Sequence, residues 1–130
     1  MTNQKISRIA AAYVSIAVAI GLAAAGPHHG AVNGVWRQST YDRLTLHQDK
    51  KDHITGVYAF KDGRIEGQVS GRTLTGLWSQ SSAGERCDAE RLGSHYWGKV
   101  KLTASRDGRS FDGKWGYCDA APTDGWSGTR

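Results

Sequence analysis

The stretch RIEGQVSGRTLTGLW, from Arg64 to Trp78, decides the fold of this chain. It contains two consecutive segments that alternate like β-strands, and each has a glycine at its centre: Ile65-x-Gly67-x-Val69 and Leu74-x-Gly76-x-Trp78. Residues two apart point to the same face of a strand, so each glycine shares a face with large apolar side chains. A glycine normally weakens a strand, through backbone entropy and lost packing. Its use twice in succession predicts two strands that bend strongly.

The same pattern of apolar residue, glycine and second large residue recurs along the chain. Its five instances are Ile54-x-Gly56-x-Tyr58, Ile65-x-Gly67-x-Val69, Leu74-x-Gly76-x-Trp78, Phe111-x-Gly113-x-Trp115 and Trp126-x-Gly128-x-Arg130. Five such strands place a band of glycines around the inside of a sheet. A small closed barrel needs glycine kinks where its strands coil, and neighbouring aromatic rings can cover the bare backbone. The repeat therefore favours a closed barrel over the alternative, a two-sheet sandwich.

Alternation between short turns predicts eight strands, and no segment after Gly34 shows a sustained helical period. The predicted strands are Val35–Thr40, Arg43–Gln48, His53–Lys61, Arg64–Ser70, Thr73–Gln80, His95–Ser105, Ser110–Tyr117 and Gly125–Arg130. Most connections are short and polar, which forces neighbouring strands to run antiparallel. The only long connection, Ser81–Ser94, contains Cys87. The fold class predicted is all-β: an eight-stranded antiparallel up-and-down meander that closes into a small barrel over residues 34–130.

The first 25 residues have the order of a secretory signal peptide. Lys5 and Arg8 precede an uncharged apolar run, Ile9–Ala25, that ends in three alanines. This order predicts a signal peptide helix over residues 1–25 and an exported protein, periplasmic or secreted. The alternative is an uncleaved membrane anchor through residues 9–26, which would be the only membrane attachment. Residues 26–33 are predicted to form a flexible lead-in to the barrel.

The two cysteines fit an exported domain. Cys87 and Cys118 form an even pair, as expected where disulfides persist. Closing a loop of that length stabilises the fold by roughly 3 to 4 kcal/mol through chain entropy. Neither a CxxC spacing nor a histidine at zinc spacing accompanies them, so we expect a disulfide and neither a bound metal nor another cofactor.

Charge and motifs argue against nucleic-acid binding and catalysis. The chain has 17 basic and 12 acidic residues, and loss of Lys5 and Arg8 leaves a net charge of about +3, scattered along the sequence. No basic stripe with interleaved aromatics is present, so nucleic acid is not an expected partner. There is no Gly-x-Ser-x-Gly motif and no cysteine with a matched histidine, so no catalytic residue is predicted. The acid pairs are read as polar loop residues: Asp88/Glu90 and Asp119/Asp124.

Two motifs give the chain a family resemblance. Gly34-Val35-Trp36 opens the first strand and Arg130 closes the last, which resembles the calycins, namely lipocalins, fatty-acid-binding proteins and avidins. The resemblance implies that Trp36 packs against Arg130 to close one barrel end. The segment HITGVYAFKDG, from His53 to Gly63, is similar to an avidin strand, and this implies that Tyr58 hydrogen-bonds a ligand. The chain has Gln38 and Asp42 where avidins have asparagine and serine, so the rest of a biotin pocket is not implied.

The chain is also similar to short, glycine- and tryptophan-rich exported bacterial β domains, a resemblance that implies the fold only. Its candidate ligand contacts are four large rings, Tyr58, Trp78, Trp97 and Trp115, which core packing over the glycines also explains. We expect a non-enzymatic binding module whose partner is either an envelope or extracellular protein or a small apolar or aromatic molecule at the barrel mouth. The alternatives are an avidin- or lipocalin-like carrier of small ligands and a small hydrolase.

Overall fold

The computed structural model describes residues 30–38 and 41–130, which form a closed barrel of eight antiparallel strands in chain order. The strands are β1 (Gly34–Gln38), β2 (Asp42–Gln48), β3 (His53–Tyr58), β4 (Gly63–Ser70), β5 (Thr73–Gln80), β6 (Tyr96–Ala104), β7 (Ser110–Trp115) and β8 (Asp124–Thr129). The predicted all-β meander and its closure are therefore confirmed. The predicted signal peptide helix, the alternative anchor and most of the lead-in lie outside the described residues. Among the residues described, no helix has the length and apolar character to cross a membrane.

Among the described residues, two strand ends differ from the prediction by more than one residue. The predicted third strand runs to Lys61, but β3 ends at Tyr58 because Phe60–Asp62 forms one turn of 3₁₀ helix. Lys61 and Asp62 take left-handed backbone conformations there, with φ of 51° and 54°. β7 ends at Trp115 instead of Tyr117, because Gly116 and Cys118 turn across β6 and their amides donate to Lys99 and Trp97.

The glycines of the repeat lie on the inner face of the barrel, where backbones approach each other closely. Gly67 and Gly76 are paired across β4 and β5. A Cβ atom on Gly76 would lie 2.1 Å from the Glu66 carbonyl oxygen and 2.6 Å from the Gly67 Cα atom. At Gly128 the ring of Phe111 occupies the space that a side chain would fill. Missing side chains therefore let the strands coil tightly, and aromatic rings fill part of the space.

Large apolar side chains fill one end of the barrel completely. The residues with at most 3% of their surface exposed include Trp36, Leu44, Ile54, Leu74, Leu102 and Phe111. Trp36 meets Phe111 edge-on, with 5.3 Å between ring centroids, and donates its indole N–H to the Val32 carbonyl. The turns that close this end are those between β2 and β3, β4 and β5, and β6 and β7.

β1 and β8 form the seam of the barrel at its filled end. Among the described residues, one pair, Arg37 and Thr129, joins the two strands. Trp36 and Arg130, which the calycin resemblance pairs, are in contact beside it, with the guanidinium carbon 3.9 Å from the indole centroid. The Arg130 guanidinium also donates to the Gly108 and Ala31 carbonyl oxygens, at 2.7 and 3.2 Å. Side-chain contacts thus supplement a short strand pairing.

Candidate functional site: an aromatic cavity at the open end of the barrel

The opposite end of the barrel contains a cavity of about 310 Å³. Four connections surround it: those between β1 and β2, β3 and β4, β5 and β6, and β7 and β8. Its lining consists of Tyr41, Tyr58, Phe60, Lys61, Trp78, Gln80, Ala83, Gly84, Trp115, Tyr117 and Trp126. Three of the four predicted ligand contacts, Tyr58, Trp78 and Trp115, are brought together here. The fourth, Trp97, lies elsewhere.

The cavity has two aromatic walls. Tyr41, Tyr58 and Trp126 form the first, with ring centroids 5.6 to 6.1 Å apart. The second consists of Trp78, Trp115 and Tyr117, whose centroids are 5.1 to 5.9 Å apart and whose rings meet edge-to-face. Such contacts hold rings in fixed orientations. The cavity therefore presents flat apolar surfaces on two sides.

Tyr58 reaches its place by lying across a glycine of the neighbouring strand. Tyr58 pairs with Gly63 of β4, and a Cβ atom there would lie 2.1 Å from the tyrosine ring. The ring crosses β4, and its hydroxyl oxygen accepts a hydrogen bond of 2.9 Å from the Gln80 amide on β5. Burial raises the pKa of Tyr58 to about 12. The hydroxyl is therefore protonated at neutral pH and has a proton to donate.

Trp78 is held by a similar close approach. Its indole N–H donates to the Gly116 carbonyl at 3.0 Å. That carbonyl oxygen lies 1.7 Å from where Gly98 would have a Cβ atom, so only glycine at position 98 allows the contact. Because its N–H is already paired, Trp78 offers a ligand its ring and not its donor. The same is true of Trp126, whose N–H donates to the Gln38 side chain.

The loop between β5 and β6 supplies Ala83 and Gly84 to the cavity wall and is fixed to the barrel by covalent and side-chain contacts. Cys87 in this loop forms the predicted disulfide with Cys118, with Cα atoms 5.6 Å apart. The loop also covers Trp97, which is 2% exposed and donates its indole N–H to the Ala89 carbonyl at 2.8 Å. The Arg91 guanidinium lies over the same ring, 5.4 Å from its centroid.

The position of Trp97 follows from strand alternation. Gly98 and Val100 face the barrel interior, so Trp97 faces outward, on the side of Lys99 and Lys101. Trp97 thus contacts the loop that forms one wall and does not touch the cavity. Its effect on the site is indirect, because it helps to hold Ala83 and Gly84 in place.

Lys61 is the charged side chain that lines the cavity among the described residues. Its ammonium donates to the Ser82 hydroxyl at 3.1 Å, and its carbonyl accepts from the Ser81 amide at 2.8 Å. These two bonds tie the β3–β4 turn to the start of the long loop. The ammonium also lies 5.5 Å from the ring centroid of Phe60.

A smaller, more polar recess of about 210 Å³ adjoins the cavity where β1 and β8 separate. The two share Tyr41, Trp115 and Trp126, and the recess adds Gln38, Asp124, Gly125 and Ser127. The Gln38 side chain is 9% exposed, and its Nε2 donor has no partner among the described residues. The recess therefore has one acidic group and one buried donor.

The acidic residues of the loops do not gather into a site. Glu90 lies 3.8 Å from His95, on the outer side of the barrel near the disulfide loop. Within the described ranges, no three histidine, cysteine or acidic side chains come close enough to hold a metal ion. The chain matches no family model, no curated protein and no solved structure.

The sequence did not single out several residues of the cavity. Trp126 belongs to the glycine repeat, which predicts core packing for it. Lys61 falls at the end of the predicted third strand. Tyr41 and Tyr117 come from connections, and no alternation pattern marks a loop residue as facing inward. A signal was available for Trp126, because it occupies the same position in its repeat as the inward-facing Leu74 and Phe111.

Proposed function

We propose that this chain is an exported, non-enzymatic binding module that holds a small aromatic or apolar molecule at the open end of its barrel. The cavity of about 310 Å³ between two aromatic walls is the observation that carries the proposal. Sites for small organic ligands have about this volume or more, and they are mostly apolar with a few polar groups at fixed places. Gln80, Tyr58 and Lys61 are such groups here.

The walls are already in place without a ligand. Edge-to-face contacts fix the aromatic rings, Gly63 fixes the course of Tyr58, and the disulfide fixes the loop that contributes Ala83 and Gly84. A site that needs little ordering on binding loses less free energy to conformational entropy. This preorganisation supports a binding role.

The ionisable groups of the main cavity favour binding over hydrolysis. Among the described residues they are Lys61 and three tyrosines, Tyr41, Tyr58 and Tyr117. Burial raises the pKa of Tyr41 as well as that of Tyr58, so both stay protonated at neutral pH. General acid–base catalysis needs a group that titrates near the working pH. The lining residues offer a ligand contacts and hydrogen bonds instead.

Two further features support export and a calycin-like role. A disulfide between Cys87 and Cys118 suits an oxidising compartment outside the cytoplasm. The closed eight-stranded meander has Trp36 under Arg130, as the calycin resemblance implies, and calycins hold ligands in the barrel interior. The proposal is thus a calycin-like carrier of a small ligand.

Binding of an envelope or extracellular protein is a second candidate. Val35 and Val57 are 46% and 59% exposed on the outer face, and both pair with Thr45 between them. Three adjacent strands thus carry a small apolar strip. Replacement of Val57 by Ser would weaken capture of such a partner and leave small-ligand binding unchanged.

A fluorescence screen of planar aromatic fragments tests the main proposal. Several tryptophans line the cavity, so a bound ring changes their emission, and saturable changes are expected at micromolar to millimolar concentrations. Trp115, a partly exposed wall residue, is replaced by Leu, and the control is Val57→Ala on the outer face. We expect roughly tenfold weaker binding for Trp115→Leu and no change for the control. A library without one saturable binder would contradict the proposal.

A further inference from the structure

We propose that the ligand of this cavity is an organic acid, with an aromatic or apolar body between the two walls and a carboxylate beside Lys61. This inference rests on the proposed binding function and adds the charge class of the ligand. It follows from the polar groups that line the cavity, from their unused hydrogen-bonding capacity and from the backbone at Lys61.

The charged side chain that lines the main cavity among the described residues is a cation. It belongs to Lys61, and no carboxylate of the described residues lies within 4 Å of the Lys61 ammonium, not even that of its neighbour Asp62. The ammonium is therefore not neutralised by the protein. Lys61 is exposed at the edge of the cavity, so its ammonium can meet an anion whose apolar body lies between the walls.

Lys61 and Tyr58 both bring hydrogen-bond donors to the cavity. The Lys61 ammonium has three N–H bonds and uses one on Ser82, so two remain for a ligand. Tyr58 accepts from Gln80, which leaves its hydroxyl proton free to donate. A carboxylate accepts several hydrogen bonds at once and forms its strongest ones with charged donors. The hydrogen-bonding pattern of the site thus complements an anion.

The backbone at Lys61 is held in a conformation that its residue type disfavours. Its φ and ψ are 51° and 41°, in the left-handed region, where glycine or asparagine is preferred. Such a conformation costs about 1 to 2 kcal/mol for an ordinary residue. It persists here because Ser81 donates to the Lys61 carbonyl. The turn that holds this conformation places the ammonium at the barrel mouth.

A cationic ligand is the competing possibility, because aromatic boxes also bind ammonium groups. Its counter-ion would be Asp124, which lines the smaller recess and not the main cavity. The Lys61 ammonium would repel such a ligand. The observations therefore favour the acid, and an ammonium probe becomes one arm of the test.

Three probes that share one ring system separate these possibilities. The probes are 2-naphthoate, 2-naphthamide and 2-naphthylmethylammonium, titrated calorimetrically into the full oxidised protein at pH 7 and low salt. We expect naphthoate to bind about tenfold more tightly than naphthamide, since a charge-assisted hydrogen bond is worth at least that factor. The ammonium probe should bind most weakly, and added salt should weaken naphthoate alone.

Two variants of Lys61 and one control assign the effect to its ammonium. Lys61→Met removes the ammonium but keeps the unbranched apolar part of the side chain, and Lys61→Asn keeps the left-handed backbone favourable. In both, naphthoate should lose its advantage over naphthamide. Lys99→Met removes the same charge from the exposed outer face of β6 and should change nothing. Near-ultraviolet circular dichroism establishes that the aromatic walls remain ordered.

The outcomes distinguish a wrong carboxylate assignment from a wrong binding function. If naphthamide binds and the Lys61 variants hold naphthoate as tightly as the parent protein does, the carboxylate assignment is wrong while the binding function stands. Tightest binding by the ammonium probe would also overturn the assignment. If none of the three probes binds, both proposals fail.

Discussion

Replacement of Gly76 by alanine tests whether the glycine repeat is what allows the strands to coil. The new Cβ atom would lie 2.1 Å from the Glu66 carbonyl oxygen and 2.6 Å from the Gly67 Cα atom, whereas ordinary contacts begin at 3.4 Å. The obstructing atoms belong to the main chain, so no side chain can rotate away. β4 and β5 would have to separate by about 1 Å at the centre of their pairing.

Overpacking of this kind lowers the free energy of unfolding by about 1 to 3 kcal/mol or more. Alanine also reduces the conformational entropy of the unfolded chain, which offsets less than about 1 kcal/mol of that loss. We expect a net loss of about 2 to 3 kcal/mol for Gly76→Ala. In a domain of about 100 residues, that lowers the melting temperature by roughly 10 to 20 °C.

Gly125→Ala is the matched control, because it adds the same methyl group to a strand glycine with no atom within 4 Å of the new position. It should be neutral or stabilise the fold by a few tenths of a kcal/mol to about 1 kcal/mol. Urea unfolding of the oxidised protein, followed by tryptophan fluorescence, compares both with the parent. Equal midpoints for Gly76→Ala and Gly125→Ala would refute the role that we assign to the repeat.

Three further predictions concern closure, the disulfide and pH. Arg130→Ala should lower the free energy of unfolding by about 1 to 2 kcal/mol through loss of its stacking on Trp36, and Arg130→Lys should lower it less; denaturant titration measures both. Replacing Cys87 and Cys118 together by serine should lower the free energy of unfolding by roughly 3 to 4 kcal/mol. It should also weaken ligand binding, because the loop that contributes Ala83 and Gly84 loses its covalent attachment. An unchanged affinity would show that this loop keeps its position without the disulfide. Because burial raises the pKa of Tyr58 to about 12, its contribution to stability is fully present below pH 10 and is lost as pH rises through 12. Unfolding midpoints should therefore be level for this group below pH 10 and fall above it, and Tyr58→Phe should make that fall shallower.

Most of the fold could be predicted because local rules determine it. The alternation around Gly67 and Gly76 encodes both the strand faces and the bend, and the short turns encode the antiparallel order. The end of β3 was missed for a physical reason. Phe60 and Lys61 are compatible with a strand by residue type, and only contacts with the distant Ser81 and Ser82 hold them in a turn.

The site was harder to predict than the fold. Trp97 was grouped with the cavity aromatics, although it shares its strand face with Lys99 and Lys101, which the sequence already marks as outward. Tyr41 and Tyr117 enter the cavity from connections, where no period applies. The volume of the cavity could not be predicted at all, because it depends on how far the core at the opposite end extends into the barrel.

The short pairing between β1 and β8 predicts where the barrel opens locally. In the part of the chain that the structure describes, backbone pairing there involves Arg37 and Thr129, whereas eight residue pairs join β5 and β6. Local opening should therefore begin at the seam, and the amide protons of Arg37 and Thr129 should exchange with deuterated solvent sooner than those in the middle of β5.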